Sequence, residues 1–310
     1  MTVSAPRRAP DYRPVTVRTV VNRVRNMPFH WSINPYRGCT HACIYCYARV
    51  THQYLGFEDP ADFDRRILVK ENAVEALRRQ LADPRWRRQV IAVGTATDPY
   101  QPGEGRFRLT RALLEVLAEF GNPVSITTKS PLVVRDLDLL RRLAAGPGCS
   151  VHFSVATLDA GIWRVIEPGT PHPRRRLEAL RRLREAGIRA GVLLAPVLPG
   201  LTDRRDRLEA VVAAAADAGA AWVTPLVLRL PAVARHWCLE RLAEAYPALA
   251  AAYARAYDGP NAPTRYVRAL ERRVAGLAAR YGIPGQKDAP AERCGPEQVQ
   301  LPLAVNSGSC

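Results

Sequence analysis

The sequence predicts an α/β fold, a partial (β/α)6 TIM-like barrel with a helical C-terminal extension. Three observations carry this reading. Six short runs rich in β-branched residues, at 31–34, 90–95, 124–128, 151–156, 189–195 and 222–228, read as strands. Amphipathic stretches at 72–83, 109–120, 134–145, 173–186 and 203–218 lie between them at the spacing of βα units, which argues a largely parallel sheet. From 231 to 282 the chain is Ala-rich and helical in pattern, with no strand signal.

The element ends carry their own signals. Asn72 with Glu75 forms a capping-box pattern at the first helix, and Gly187 and Gly219 stand where helices stop. Leu177, Leu180 and Leu183 keep helical spacing, as do Leu208, Val211 and Val212, and these are core positions. Residues 1–29 read as an extended, Pro- and Arg-rich lead-in, 30–230 as the barrel, and 231–310 as a helical extension ending from 285 in a loop or tail rich in Pro, Gly and Ser. No repeat of solenoid period interrupts the βα alternation.

A chain of 310 residues with 47% apolar composition supplies a sizeable core. It contains no run approaching a membrane span, and its start lacks the apolar segment of a secretory signal, so a cytoplasmic protein without a membrane partner is expected. Seven cysteines without paired spacing argue against a disulfide framework and for a reducing compartment. The formal charge of +16 invites a nucleic-acid partner, because clustered cations bind phosphate by releasing counterions. Only Lys70, Lys129 and Lys287 among the 45 basic residues are lysine, so arginine is raised throughout the chain. Much of it lies on solvated helix faces such as 174–184.

The chemistry concentrates in NPYRGCTHACIYCYAR at 34–49, with thiols at Cys39, Cys43 and Cys46. A C-x3-C-x2-C triplet can hold three irons of a 4Fe-4S cube and leave the fourth open to an outside ligand. Structural zinc sites usually fill every position from the protein, and ferredoxins supply a fourth cysteine nearby; here the next is Cys149. A zinc staple recruiting His41 or His52 as fourth ligand is the rival reading.

The loop and its approach, FHWSINPYRGCTHACIYCYAR at 29–49, resemble the radical S-adenosylmethionine (radical SAM) superfamily, and within it the spore photoproduct lyase-like branch. RRILVKENA at 65–73, TDPYQPGE at 97–104, TTKS at 127–130 and SVATLD at 154–159 extend the resemblance over about two-thirds of the chain. The resemblance implies a barrel of the radical SAM type and a 4Fe-4S cluster on Cys39, Cys43 and Cys46. It implies S-adenosylmethionine (SAM) chelating the open iron through its amino and carboxylate groups, and an external electron donor of flavodoxin or ferredoxin type. Reductive cleavage of SAM then releases a 5'-deoxyadenosyl radical that takes a hydrogen atom from the substrate. The branch and the charge together favour a nucleic-acid or nucleotide substrate. A small metabolite or peptide is the second reading, and a non-catalytic metal- or nucleic-acid-binding protein the third.

In parallel βα barrels the functional groups gather at the C-terminal ends of the strands. Thr97 matches a family position that touches SAM, and Asp98 suits the SAM ammonium or ribose, although Asp98-Pro99 and Gln101-Pro102 equally suit a turn. Lys129 ends the third strand, where a compact ammonium can meet the SAM carboxylate. Ser154 corresponds to a family SAM contact. His152, two residues deeper on the same strand face, reads as a satisfied core histidine with proton handling as the rival. Glu167 with Arg174 or Arg175 can reach the mouth from beyond that strand. Tyr45, before the last cysteine, is implied by the family to pack beside adenine, and Ala195 or Pro196 is placed near the same base. The spore photoproduct lyases carry a hydrogen-donating cysteine where this chain has Thr95, so that repair reaction is not expected here. Cys238, Cys294 and Cys310 or the phenols Tyr47 and Tyr100 are the candidate substitutes, while Cys149 should lie at the closed end.

Overall fold

The computed structural model describes residues 9–25 and 27–284. Ten strands occur among them: β1 (Asp11–Val15), β2 (Val21–Arg23), β3 (Trp31–Ile33), β4 (Tyr36–Arg37), β5 (Arg66–Lys70), β6 (Ile91–Val93), β7 (Val124–Thr128), β8 (Cys149–Ser154), β9 (Arg189–Val197) and β10 (Val223–Val227). The helices are α1 (Val50–Gln53), α2 (Asp62–Arg65), α3 (Ala73–Leu81), α4 (Glu104–Phe107), α5 (Leu109–Glu119), α6 (Leu137–Ala145), α7 (Ala160–Ile166), α8 (Pro173–Glu185), α9 (Arg205–Asp217), α10 (Ala232–Ala243), α11 (Pro247–Ala256) and α12 (Thr264–Arg280).

Seven strands form one sheet in the order β10-β9-β8-β7-β6-β3-β2. The six from β3 to β10 are parallel, in registers such as Ile91 with Val124, Val124 with Cys149 and Ser154 with Leu193, and they are the six expected from the sequence. Strand β6 stops at Val93 because Gly94 turns away with φ +92, where a Cβ would strike Pro99 and the Thr127 carbonyl at 2.5 Å. The helices cover the sheet with the faces their periodicity foretells: Leu177, Leu180, Leu183, Leu208, Val211 and Val212 are all buried. Each such aliphatic side chain removed from water contributes roughly 1.5–3 kcal/mol. Gly187 and Gly219 follow α8 and α9 with φ of +78 and +73, the left-handed stop expected of them.

The lead-in is more structured than its composition suggests. β1 pairs in parallel with β5, which pairs antiparallel with β4, making a second, three-stranded sheet. Pro14 is tolerated because β1 is an edge strand. β2 closes the edge of the main sheet against β3. The capping-box pattern at α3 is corrected: Asn72 stands at the N-cap without a side-chain cap bond, and its amide instead exchanges two hydrogen bonds with the backbone of Val17. Tertiary docking of the lead-in has taken the group that a local motif would have used.

The stretch from 231 to 282 is helical and works in two places. α12 buries Leu270, Val274 and Leu277 in the main core, whereas α10 and α11 contribute Cys238, Leu242, Ala250 and Tyr253 to a second core that contains Cys43, Ile44 and Tyr45. Among the described residues, no helix is long and apolar enough to cross a membrane. The expected loop or tail from 285, with Cys294 and Cys310, lies outside the described residues.

Candidate active site

The cysteine loop leaves the C-terminal end of β3 and is clasped from several sides. Gly38 opens it at φ +85, where a Cβ would stand 2.8 Å from the Phe63 carbonyl, and Cys39 N–H donates to that same oxygen. Thr97 Oγ1 donates to the Gly38 carbonyl at 2.6 Å, while Gln101 donates to Gly38 O and Thr97 Oγ1 and accepts from Thr40 N–H. From the other side Ile44 N–H donates to Ile166 O, and Gly169 N–H to His41 O. Arg49, 1% exposed, donates to the Cys43 carbonyl and pairs with Asp64 at 2.9 Å beneath the Trp237 ring.

All three thiols are free, with Cys39 and Cys43 buried and Cys46 partly so. Burial pushes the Cys39 thiol well above its ordinary range, helped by Asp98, Cys43 and Cys46, so the three sulfurs lie within one another's field. Burial takes Cys43 to about 12 against the pull of Lys129 and Arg176. Among the described residues no three His, Cys, Asp or Glu groups converge closely enough to hold a single metal ion. A cube distributes its thiolates over separate irons and asks no such convergence, so three free thiols on one enclosed loop suit it. Of the histidines of the zinc reading, His52 Nε2 meets the Arg66 carbonyl at 2.9 Å between Phe57 and Phe63, whereas His41 Nδ1 lies 3.3 Å from Asp98 and neither of its buried ring nitrogens makes a hydrogen bond.

Lys129 and Ser154 meet at the mouth. Lys129 Nζ donates to Ser154 Oγ at 2.8 Å, Ser154 Oγ donates to the Ala195 carbonyl at 2.8 Å, and the ammonium stands 5.8 Å from the Tyr45 ring centre. Four of the expected residues, from β8, β9, the end of β7 and the cysteine loop, are thereby brought together. Thr97 and Asp98 are not among them. Both are buried and face inward, Thr97 to Gly38 and Asp98 to the amides of Tyr100 and Lys129 and the hydroxyl of Thr128. Burial alone would raise Asp98, but His41 and these donors hold it near 2.

Glu167 and Arg176 complete the site. Tyr45 and Arg176 both donate to Glu167, Lys129 lies 3.9 Å from it, and Arg176 also donates to the Ser154 carbonyl at 2.8 Å. Burial works to raise Glu167, yet Arg176 and Lys129 keep it below the usual carboxylate range and ionised. Arg174 and Arg175 are exposed, so the arginine that reaches inward is Arg176. It shares the buried stripe of α8 with Pro173 and Leu180, at i+3 and i+4 spacing, and that phase was readable in the sequence.

The remaining candidates separate by depth. His152 faces Ser125 at 3.1 Å and the Trp222 ring at 4.9 Å, with its pKa lowered by burial to about 4. Cys149 lies at the start of β8, the closed end, and Cys238 is fully buried in one core with Tyr253 and Tyr257; burial takes both thiols to about 12. Tyr100 is fully buried beside Asp136, whereas Tyr47 is 41% exposed and donates to the Thr95 carbonyl.

The radical SAM superfamily model matches residues 33–211. An uncharacterized protein of Mycobacterium tuberculosis is 42% identical over 295 residues, covering 92% of this chain and 87% of its own length. A radical SAM Nα-GlyT isomerase of Pseudomonas phage M6 is 27% identical over 211 residues, 63% of this chain and 41% of that protein. Among solved structures, spore photoproduct lyase complexed with dinucleoside spore photoproduct shares the fold at a TM-score of 0.65 and 18% identity, over 88% of this chain and 80% of the other. The family match covers more than half of the chain and settles the assignment: the chain belongs to the radical SAM superfamily.

Proposed function

We propose that Cys39, Cys43 and Cys46 hold a 4Fe-4S cluster, that SAM binds beside it at Lys129, Ser154, Tyr45 and Ala195, and that the enzyme abstracts hydrogen from a nucleotide or nucleic acid. The observation that carries the reading is the approach of Lys129 to Ser154 and to the ring of Tyr45, next to Cys46, at the open ends of β7 and β8. When bound, the cluster and SAM supply a 5'-deoxyadenosyl radical, with the electron coming from an outside donor of flavodoxin or ferredoxin type.

The protein's own part is binding and positioning. An ammonium has three donors, and Lys129 gives one to Ser154, so the others can meet a carboxylate. Glu167 fixes the Tyr45 ring through its hydroxyl, and its buried charge holds Arg176 and draws Lys129 toward the same place. Asp98 acts as a positioning residue, fixing the turn on which Lys129 stands through that residue's own amide. Thr97 does the same for the cysteine loop.

The charge of +16 and a fold shared with a lyase bound to a dinucleoside photoproduct support the substrate class. Thr95 accepts from Asn34 at 3.1 Å where those lyases carry a thiol, and its hydroxyl is a poor hydrogen-atom donor, so efficient reversal of spore photoproduct is not expected. Anaerobic incubation with reductant, SAM and separate deuterated pools of nucleic acid, nucleotides, peptides and metabolites tests the reading. Label in 5'-deoxyadenosine from the first two pools supports it. Label only from peptides or metabolites moves the substrate class, and no 5'-deoxyadenosine from any pool rejects the radical chemistry.

A further inference from the structure

Two surface clefts flank the first turn of α9. The first, of about 390 Å³, lies at the mouth, where Thr157, Leu158 and Asp159 after β8 face Arg204, Asp206 and Arg207. The second, of about 310 Å³, runs between α9 and α12 and is lined by Arg205, Arg273, Gly276, Leu277 and Arg280. Three guanidiniums and no carboxylate line it. Glu209 pairs with Arg280 at 2.8 Å, and Asp206 with Arg204 at 3.2 Å, but among the described residues no carboxylate pairs with Arg205 or Arg273.

Gly276 forms part of the groove's lining. A Cβ built on it meets nothing within 4 Å, so no packing demand keeps the position small, and glycine is disfavoured against alanine inside a helix. It follows Arg273 by three residues and precedes Arg280 by four, which puts all three on one face of α12. Seven residues of helix rise separate the two arginines by about 10 Å, roughly three phosphate-to-phosphate steps along one strand of a duplex. The surface inside the groove is mainly aliphatic, from Leu277 and the arginine stems, and the forked guanidiniums those stems carry suit the phosphates of a phosphodiester chain.

We propose that this groove anchors the sugar-phosphate backbone of a nucleic acid whose neighbouring segment passes Arg204 and Arg207 into the mouth. The inference rests on the nucleic-acid reading of the function.

Fluorescence anisotropy with cluster-loaded protein and labelled single-stranded and duplex oligonucleotides, between about 50 and 200 mM salt, tests it. In the Arg205→Gln/Arg273→Gln double variant, affinity is expected to fall at least about tenfold at low salt, with the salt slope shallower by about 2. Gly276→Glu should weaken binding without lowering Tm, because its side chain enters open space. Arg181→Gln, on the exposed face of α8 where Arg181 pairs with Glu178 and Glu185, should bind as wild type. Substrate-free cleavage of SAM should be unchanged in all of them. Wild-type affinity and slope in the double variant would overturn the groove while leaving the nucleic-acid reading standing. An equal loss in Arg181→Gln would show diffuse attraction and overturn the groove too, and a wild type that binds no oligonucleotide would overturn both.

Discussion

The ammonium of Lys129 and the hydroxyl of Ser154 are 2.8 Å apart at the ends of neighbouring parallel strands, and Ser154 in turn donates a hydrogen bond to the carbonyl of Ala195 on the next strand. Three strand ends are thus joined by one hydrogen-bonded chain that begins at one of only three lysines among 45 basic residues.

Removing the head of that hydrogen-bonded chain should separate ligand binding from cluster assembly. Lys129→Ala is expected to keep its iron and sulfide while SAM binding weakens by about 1.5–3 kcal/mol, the scale of a charge-assisted hydrogen bond. Calorimetry on reconstituted protein gives the comparison; unchanged affinity would remove Lys129 from the SAM site.

The thiols should behave as a set. Anaerobically reconstituted wild type is expected to carry about four irons and four sulfides per chain, and Cys39→Ala, Cys43→Ala and Cys46→Ala should each lose them. Iron and sulfide assays decide this, and one stoichiometric zinc in place of iron would restore the staple reading.

Arg176 and Glu167 form a buried ion pair with both side chains almost wholly enclosed. Removing one partner of such a pair typically costs about 3–5 kcal/mol, because the other charge is left without compensation. Arg176→Met should therefore lower the denaturant midpoint sharply, and adding Glu167→Gln should recover part of the loss. Strictly additive losses in the double variant would show that the two side chains are not coupled.

His152 predicts a pH dependence. Its folded pKa, near 4, lies below the ordinary 6.5, so between these values the unfolded chain binds the extra proton and stability falls as the medium is acidified. The loss from this residue is expected to reach about 2–3 kcal/mol near pH 4. His152→Asn should flatten the difference between denaturant midpoints measured at pH 6.5 and pH 4.5; a slope matching wild type would assign the effect to other groups.

The six parallel strands were legible because burial on both faces gives each a compact β-branched run. The lead-in was not: β1 carries Pro14 and only alternates Tyr12 with charged or imino neighbours, and its pairing depends on β5, more than fifty residues away. In the site, Lys129, Ser154 and Tyr45 could be named from the family motif, since chemistry constrains residue type there. Thr97, Asp98 and Gln101 sit in the same kind of motif, yet their side chains fold back onto the cysteine loop and the end of β7. A motif records which residues are required, without separating ligand contact from scaffolding. Arg176 was hidden among like neighbours, and only the helical phase sets it apart from Arg174 and Arg175.

The shared core of Cys43, Ile44 and Tyr45 with α10 and α11 packs the cysteine loop and the C-terminal helices against one another. A group that binds only the folded loop stabilises everything that must open with it. Filling the thiols should therefore slow amide exchange in residues 232–256, far along the chain from any ligand, while the β1–β5 sheet exchanges as before. The persistence of α10 and α11 would in this way depend on whatever the thiols hold.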